Sequence, residues 1–308
     1  METIKAVVGI IRNKDSKFLI AERRLGSFMC GYCELPGGKI NFGETPENAI
    51  KRELKEELGI KVTKLNYVRT ITHKYPDRSV ELQYFLIDNY KGNPYGVEGQ
   101  RTNWTNIEEL ANYKLLPGVK DVLFSLSIDT IYWITPETGH YTDQWMSEFD
   151  EKIKQGVKLI QLRAKNKIED IFIKNLYIKC RLNNTKLLLN TVNKTFKEKY
   201  TDGWHITTKE LLSLNERPLN NGKIIAASTH NLDEANIAKN LDIDFIVISP
   251  IKATKTHPES KPLGWKYAKM VASSVTTPVY FLGGMSYKDL DRANKNGAQG
   301  IAGVSSLL

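Results

Sequence analysis

Residues 35–60 read Leu35-Pro-Gly-Gly-Lys-Ile-Asn-Phe-Gly-Glu-Thr-Pro-Glu-Asn-Ala-Ile-Lys-Arg-Glu-Leu-Lys-Glu-Glu-Leu-Gly-Ile60, a glycine-bearing loop running into a punctuated helix. Thr45 suits an N-cap, Pro46 the first turn, where its missing N–H costs nothing, and Gly59 a left-handed stop. The spacing predicts a helix of about three and a half turns. At 100° per residue, Glu53, Glu56 and Glu57 share one edge, while Ile50, Leu54 and Leu58 form the adjacent apolar stripe. Like charges at i, i+3 and i+4 cost stability unless something neutralises them. An acidic run usually marks a solvated face; clustered carboxylate oxygens beside a buried face also suit Mg²⁺ or Mn²⁺.

Outward from this stretch, the first half alternates strand signals with few helices. Ala6–Ile11 and Phe18–Ala21 flank the turn Asn13-Lys14-Asp15-Ser16, the spacing of a hairpin. Val80–Asp88 reads as a longer strand, with helical patterns at Asn106–Ala111 and Val119–Leu126. From Ile131 the pattern changes. Short β-rich runs recur at Ile131–Ile134, Lys158–Arg163, Leu187–Asn190, Gly203–Ile206, Lys223–Ser228, Phe245–Ile248, Val279–Leu282 and Gly300–Gly303, with helical segments between them. Eight such runs predict a closed parallel (β/α)8 barrel, because right-handed crossovers curl the sheet onto itself. The boundary falls near Ser127, giving domains 1–127 and 128–308. At about 180 residues this barrel is smaller than the usual 250 or so. Little chain follows its last strand for an eighth outer helix, so another surface, such as the first domain, is expected to cover that gap.

Composition bounds the class. With 41% hydrophobic and 26% charged residues, the 308-residue chain reads as globular and excludes disordered and collagen-like architectures. The net charge of +9 is spread as 19 basic and 16 acidic residues up to residue 127 and 25 and 19 beyond it. No basic tail is concentrated, so the charge reads first as a solvated mixed surface and, as the sharper alternative, as a surface for small anionic substrates; stable nucleic-acid binding is not expected. The longest apolar runs, Ala6–Ile11 and Phe245–Ile248, fall far short of the roughly 18 to 20 residues that span a bilayer. The opening residues lack a secretory pattern, and a cytoplasmic location is expected. The cysteines, Cys30, Cys33 and Cys180, are odd in number, which favours reduced thiols. Cys30-Gly-Tyr-Cys33 has no second pair to complete a zinc site and precedes a strand, not the helix a redox motif opens.

Gly38, five residues, Glu44, seven residues, then Arg52-Glu53-Leu54-x-Glu56-Glu57-x-Gly59-Ile60 matches every fixed position of the Nudix box. Residues 1 to about 125 resemble the Nudix hydrolases, in particular the MutT-type 8-oxo-dGTP diphosphatases. Val8-Gly-Ile-Ile-Arg-Asn13, Pro76-Asp-Arg78 and Gly96-Val-Glu-Gly-Gln100 extend the likeness. The resemblance implies an α/β/α sandwich, Mg²⁺, and hydrolysis of a nucleoside triphosphate to monophosphate and pyrophosphate. It further implies that the Gly37 carbonyl, Glu53, Glu56, Glu57 and Glu98 serve the metal. Arg52 would orient the glutamates by charge-assisted hydrogen bonds, Glu44 would join Glu53 and Arg52 as a catalytic residue, and Arg23, Glu34, Gly38, Lys39, Asp77 and Arg78 would meet the nucleotide. One departure stands out: where the MutT type places a purine-reading Asn after a proline, Leu116-Pro117-Gly118 leads to Val119. Valine has neither donor nor acceptor for a bidentate base contact.

Residues 130–308 resemble thiamine phosphate synthases and their TenI-like relatives through Gln161-Leu-Arg-Ala-Lys165, Asp202-Gly-Trp-His205, Ala227-Ser-Thr-His-Asn231, Gly283-Gly-Met285 and Gly300-Ile-Ala-Gly-Val-Ser305. The resemblance implies a compact barrel with a phosphorylated ligand at the carboxyl ends of its strands. The candidate contacts are Gln161, Arg163, Lys165, Asn190, Thr254, Thr256, Gly283, Gly284 and Ser305. Thr191 stands where the synthases carry a metal-binding Asp, His257 where they carry a phosphate lysine, and Ser249-Pro250 where the tautomerases carry a His. Glu210 lies near the place of a second metal carboxylate. The expectation is a barrel that keeps an anion pocket and has given up its original reaction. A bifunctional thiamine-pathway enzyme and a ligand-sensing barrel are the competing readings.

Overall fold

The computed structural model describes residues 2–27, 29–74, 78–137, 141–164, 166–190, 199–218, 222–254, 261–304 and 307. The chain divides into two compact units, Met1–Phe124 and Ser125–Leu308. No helix among the described residues is long and apolar enough to cross a membrane.

The first unit runs β1 (Glu2–Ile11), β2 (Phe18–Glu22), β3 (Cys33–Glu34), β4 (Gly37–Lys39), α1 (Pro46–Leu58), β5 (Lys61–Lys74), β6 (Arg78–Lys91), β7 (Thr102–Thr105) and α2 (Val119–Ser125). A four-stranded sheet has the order β4-β1-β6-β5, and a three-stranded sheet the order β3-β2-β7. The expected hairpin between the first two strands forms only its turn. Asn13 Oδ1 accepts from the Asp15 and Lys17 amides, and Arg12 bridges to Phe18. Both edges of β1 are then taken, by β4 antiparallel and β6 parallel, so β2 joins the other sheet. The helical expectation at Asn106–Ala111 is also corrected: a turn closed by Asn106 Oδ1 and the Glu109 amide leads to one 3₁₀ turn at Leu110–Asn112. So short a segment cannot repay helix nucleation. β5 was not anticipated from the sequence, because three register irregularities between Val62 and Arg69 break the two-residue alternation that marks a strand.

The second unit contains β8 (Ile131–Ile134), α3 (Asp143–Lys154), β9 (Leu159–Leu162), α4 (Asp170–Leu182), β10 (Lys186–Asn190), β11 (Gly203–Ile206), α5 (Thr208–Ser213), β12 (Ile224–Thr229), α6 (Leu232–Asn240), β13 (Phe245–Ile248), α7 (Gly264–Ser274), β14 (Val279–Phe281), α8 (Leu290–Lys295) and β15 (Gly300–Gly303). All eight strands pair in parallel and close into a barrel, the expected architecture. Alternate side chains fill the lumen. Tyr132, Phe245 and Tyr280 pack there edge to face or tilted at 5.1–5.7 Å, an aromatic plug rather than a pore. The opposite faces, including Ile160, Leu162, Leu187, Leu189, Ile246 and Ile248, join the apolar layer beneath the helices. Among the described residues no α-helix follows β15.

Candidate active site and barrel mouth

Helix α1 begins where Thr45 Oγ1 accepts from the Asn48 amide and ends at Gly59, whose φ of 67° is the left-handed stop. Ile50, Leu54 and Leu58 are fully buried, each contributing on the order of 1.5–3 kcal/mol of apolar burial. That anchorage fixes the rotation of the helix and presents Glu53 and Glu57 to the loop at β4. A side chain on Gly38 would overlap the Glu53 carboxylate, so glycine there lets the acid lie against the backbone. A side chain on Gly37 would strike the Val7 carbonyl, and the Gly37 amide donates to Glu57 Oε2 at 3.1 Å.

The loop before β7 docks on the end of the same helix. The amides of Tyr95 and Val97 donate to the Leu58 and Glu57 carbonyls at 3.3 and 3.0 Å, and Gln100 Nε2 donates to the Glu57 carbonyl at 2.9 Å. This docking brings Glu98 into the field of Glu57. Burial first, then Gly37's opposing hydrogen bond and the charges of Glu53, Glu34 and Glu98, leave the Glu57 carboxyl pushed up to about 7. A carboxylate so crowded by others is the environment a bound cation relieves, and an all-oxygen donor set fits Mg²⁺ or Mn²⁺.

Arginines neutralise much of this charge in the structure. Arg52 makes a bidentate pair with Glu44 at 3.0 Å on both oxygens, and its Nη1 donates to Glu53 at 2.8 Å and Glu56 at 3.1 Å. Its Nη2 also donates to the Lys39 carbonyl, tying loop to helix. The pair with Arg52 holds the Glu44 carboxyl below its usual range and raises the guanidinium in turn. Arg23 pairs with Glu34, whose carboxyl is raised by burial against the opposing pull of that arginine. Arg24 pairs with Glu98 at 2.7 Å. Among the described residues no three His, Cys, Asp or Glu side chains converge in metal-binding geometry; Arg52 and Arg24 hold carboxylates that such a cluster would use. Sequence reading missed Arg24; the signal was the doubled Arg23-Arg24 just past β2. Lys39 is exposed, Asp77 lies outside the described residues, and Arg78 is described only as the paired backbone opening β6. Cys33 is buried and its thiol is raised chiefly for that reason, while Cys30 is exposed and neither is in a disulfide.

At the barrel mouth, Gln161 points into the lumen, since its neighbours Ile160 and Leu162 face outward. The Arg163 guanidinium lies 3.5 Å from Glu137, and its amide donates to Thr135 Oγ1. Asn190, at the end of β10, clamps the loop after β9, donating to the Ala164 carbonyl at 2.6 Å and accepting from its amide at 3.3 Å. Gly283 and Gly284 turn the chain after β14, and Thr254 follows β13 half-buried. Lys165, Thr191, Thr256, His257 and Ser305 lie outside the described residues. Glu210 is engaged by a helix cap, accepting from the Thr207 amide and hydroxyl at 2.9 and 2.8 Å.

A relay that the sequence did not reveal crosses the lumen. Tyr132 Oη lies 2.8 Å from His205 Nδ1, and His205 Nε2 lies 2.9 Å from Ser228 Oγ. Burial keeps the Tyr132 phenol protonated, and its hydrogen bond is to Nδ1. Donation there puts the imidazole proton on Nε2, which donates to Ser228. The serine oxygen then accepts from the imidazole, so His205 is not placed to take its proton and activate it as a nucleophile. Burial, with the Arg163 charge in support, lowers His205 from 6.5 to about 4. Between those values the unfolded chain binds a proton that the folded barrel refuses. Stability is therefore expected to fall by roughly 3 kcal/mol as pH drops from about 6.5 to 4. Denaturant titrations of the intact chain across this range should show that slope, and His205→Gln should flatten it; an unchanged slope would assign it elsewhere.

The sequences of known proteins agree with this division. The family model for the NUDIX domain matches residues 2–126, and that for thiamine monophosphate synthase matches residues 131–307. The chain is 36% identical over 126 residues to the 8-oxo-dGTP diphosphatase of Escherichia coli, covering 41% of this chain and 98% of that protein. It is 46% identical over 83 residues to the 8-oxo-dGTP diphosphatase of Proteus vulgaris, covering 27% of this chain and 74% of that protein. It is also 29% identical over 182 residues to the thiamine-phosphate synthase of Fusobacterium nucleatum, covering 58% of this chain and 88% of that protein. With its carboxylate helix inside the first match and its closed barrel inside the second, the chain belongs to the NUDIX family through residues 2–126 and to the thiamine monophosphate synthase family through residues 131–307.

Proposed function

We propose that the first unit is a Mg²⁺-dependent nucleoside triphosphate pyrophosphohydrolase, with Mn²⁺ as a substitute, acting on 8-oxo-dGTP to remove oxidised nucleotides before they enter DNA. The observation that carries this reading is the crowding of Glu53 and Glu57 against the Gly37-Gly38 backbone, with the charge of Glu98 acting on Glu57. Glu53, Glu56, Glu57, Glu98 and the Gly37 carbonyl would hold the cation. When bound, it neutralises charge developing on the polyphosphate and lowers the pKa of water. Arg52 fixes Glu53, which orients the attacking water and accepts its proton. Water adds at an inner phosphorus, the P–O–P bond breaks, and nucleoside monophosphate and pyrophosphate leave. Arg23 and Lys39 meet the nucleotide and its phosphates.

The purine edge is read weakly in this scheme. Val119, the buried first residue of α2, supplies no hydrogen bond to the base, which forfeits on the order of 1–3 kcal/mol of discrimination. For the barrel, we propose a phosphorylated small-molecule ligand held by Gln161, Arg163 and the turn at Gly283-Gly284. With Glu210 committed to a helix cap and Thr191 in place of a carboxylate, the barrel joins the thiamine precursors poorly or not at all.

One panel tests both readings on the intact chain with Mg²⁺. It comprises 8-oxo-dGTP, dGTP, the other deoxynucleoside triphosphates, thiamine diphosphate, and the pyrimidine diphosphate and thiazole phosphate precursors of thiamine phosphate. Each is assayed for turnover and for thermal stabilisation. Hydrolysis of 8-oxo-dGTP with only modest preference over dGTP is expected, with stabilisation by a thiamine precursor and no thiamine phosphate formed. Absence of any triphosphate hydrolysis refutes the first reading, and thiamine phosphate synthesis at a rate comparable to ordinary synthases refutes the second.

A further inference from the structure

Strand pairing forces Arg24 onto the carboxylate cluster. β2 and β7 run antiparallel, with Ala21 opposite Thr102, and beyond them the Glu22 amide donates to the Arg101 carbonyl at 2.8 Å. Two residues past β2, Arg24 therefore emerges beside the loop that carries Glu98. The two side chains meet at 2.7 Å, each partly open to solvent at 55% and 40% exposure. The same loop is fastened to the last turn of α1 through the Glu57 carbonyl, so the pair lies at the rim of the site and not on a remote surface. The remaining carboxylates have different partners: Glu53 and Glu56 pair with Arg52, and Glu34 with Arg23. Arg24 is thus a second, exposed cation dedicated to one acid of the cluster.

Resting on the hydrolase reading, we propose that Arg24 exchanges partners during the cycle: it holds Glu98 in the empty site and binds the substrate polyphosphate once a divalent cation has taken Glu98. A divalent ion on Glu98 draws charge from the carboxylate and weakens its hold on the guanidinium, which is held through one oxygen at an exposed rim and is free to swing away. The released guanidinium is then next to the highest negative charge in the complex, and its planar fork matches phosphate oxygens as well as it matches a carboxylate. Exposure makes the exchange shallow, since solvent-accessible ion pairs are weak. This fits a residue that must let go in each turnover.

The role predicts opposite changes in two binding constants, which an arginine that merely stabilised the loop would not produce. Mn²⁺ binding to the intact protein without nucleotide, followed by electron paramagnetic resonance, should tighten about two- to fivefold in Arg24→Ala, the range set by an exposed ion pair. Binding of a non-hydrolysable triphosphate in the presence of Mn²⁺ should weaken about tenfold or more, the worth of a hydrogen bond to a charged group. Arg24→Lys, which keeps the charge and loses the fork, should fall between wild type and alanine on both measurements. If wild type binds Mn²⁺ and the alanine variant binds it no tighter, or binds the triphosphate equally well, the exchange is refuted while the hydrolase reading stands. If wild type binds no Mn²⁺ at all, both are refuted.

Discussion

Replacement of Glu53 by glutamine is expected to lower kcat for nucleoside triphosphate hydrolysis by about 10²- to 10⁴-fold, the usual contribution of a positioned general base. The amide has nearly the same volume and can still accept from Arg52 Nη1, now at 2.8 Å. It has lost both the charge that would hold a cation and the basicity that would take a proton from water. The fold should survive, because Arg52 keeps its bidentate pair with Glu44 and the bond to the Lys39 carbonyl. Pyrophosphate release at saturating substrate, with circular dichroism as the control, measures the effect. Full activity in the variant would remove Glu53 from the chemistry.

Gly38→Ala separates positioning from folding. The added methyl group would overlap the Glu53 carboxylate, which is the far end of a flexible side chain and can swing aside. Gly38 has no left-handed backbone that an L-residue would resist. Thermal stability should therefore change little. The displaced carboxylate can no longer reach its water or cation from the same place, and misplacement of about 1 Å typically costs on the order of 10²-fold in rate. A variant with wild-type melting and about one hundredth of wild-type kcat is the expected outcome. A variant that melted much earlier would show that Gly38 serves the fold instead, and unchanged kcat would show that Glu53 acts from elsewhere.

The placement of Glu53 on its helix is local. The cap at Thr45, the stop at Gly59 and the register of Glu53 with Leu54 all lie within one helix, where the dihedral period alone sets the geometry. The barrel strands were legible for a similar reason: each is a short apolar run between turn signals, and eight of them in alternation with helices leave few topologies open. Where the local pattern was broken, the reading failed. The bulges of β5 disrupt its alternation, and the partner of β1 could not be read from the turn that follows it.

The sequence by itself determined that a row of carboxylates flanks a buried helical stripe and that the chain closes a parallel barrel, because both follow from periodicity over a few residues. Only the tertiary structure decided which cation holds which acid and which hydroxyls meet the His205 ring. Arg24 meets Glu98 because β2 pairs with β7 and the following loop docks on α1. Tyr132, His205 and Ser228 form one relay because closure of the barrel brings strands β8, β11 and β12 around a single lumen. Such contacts join residues far apart along the chain. Their geometry is set by strand pairing and packing, which the side chains' own order does not encode locally.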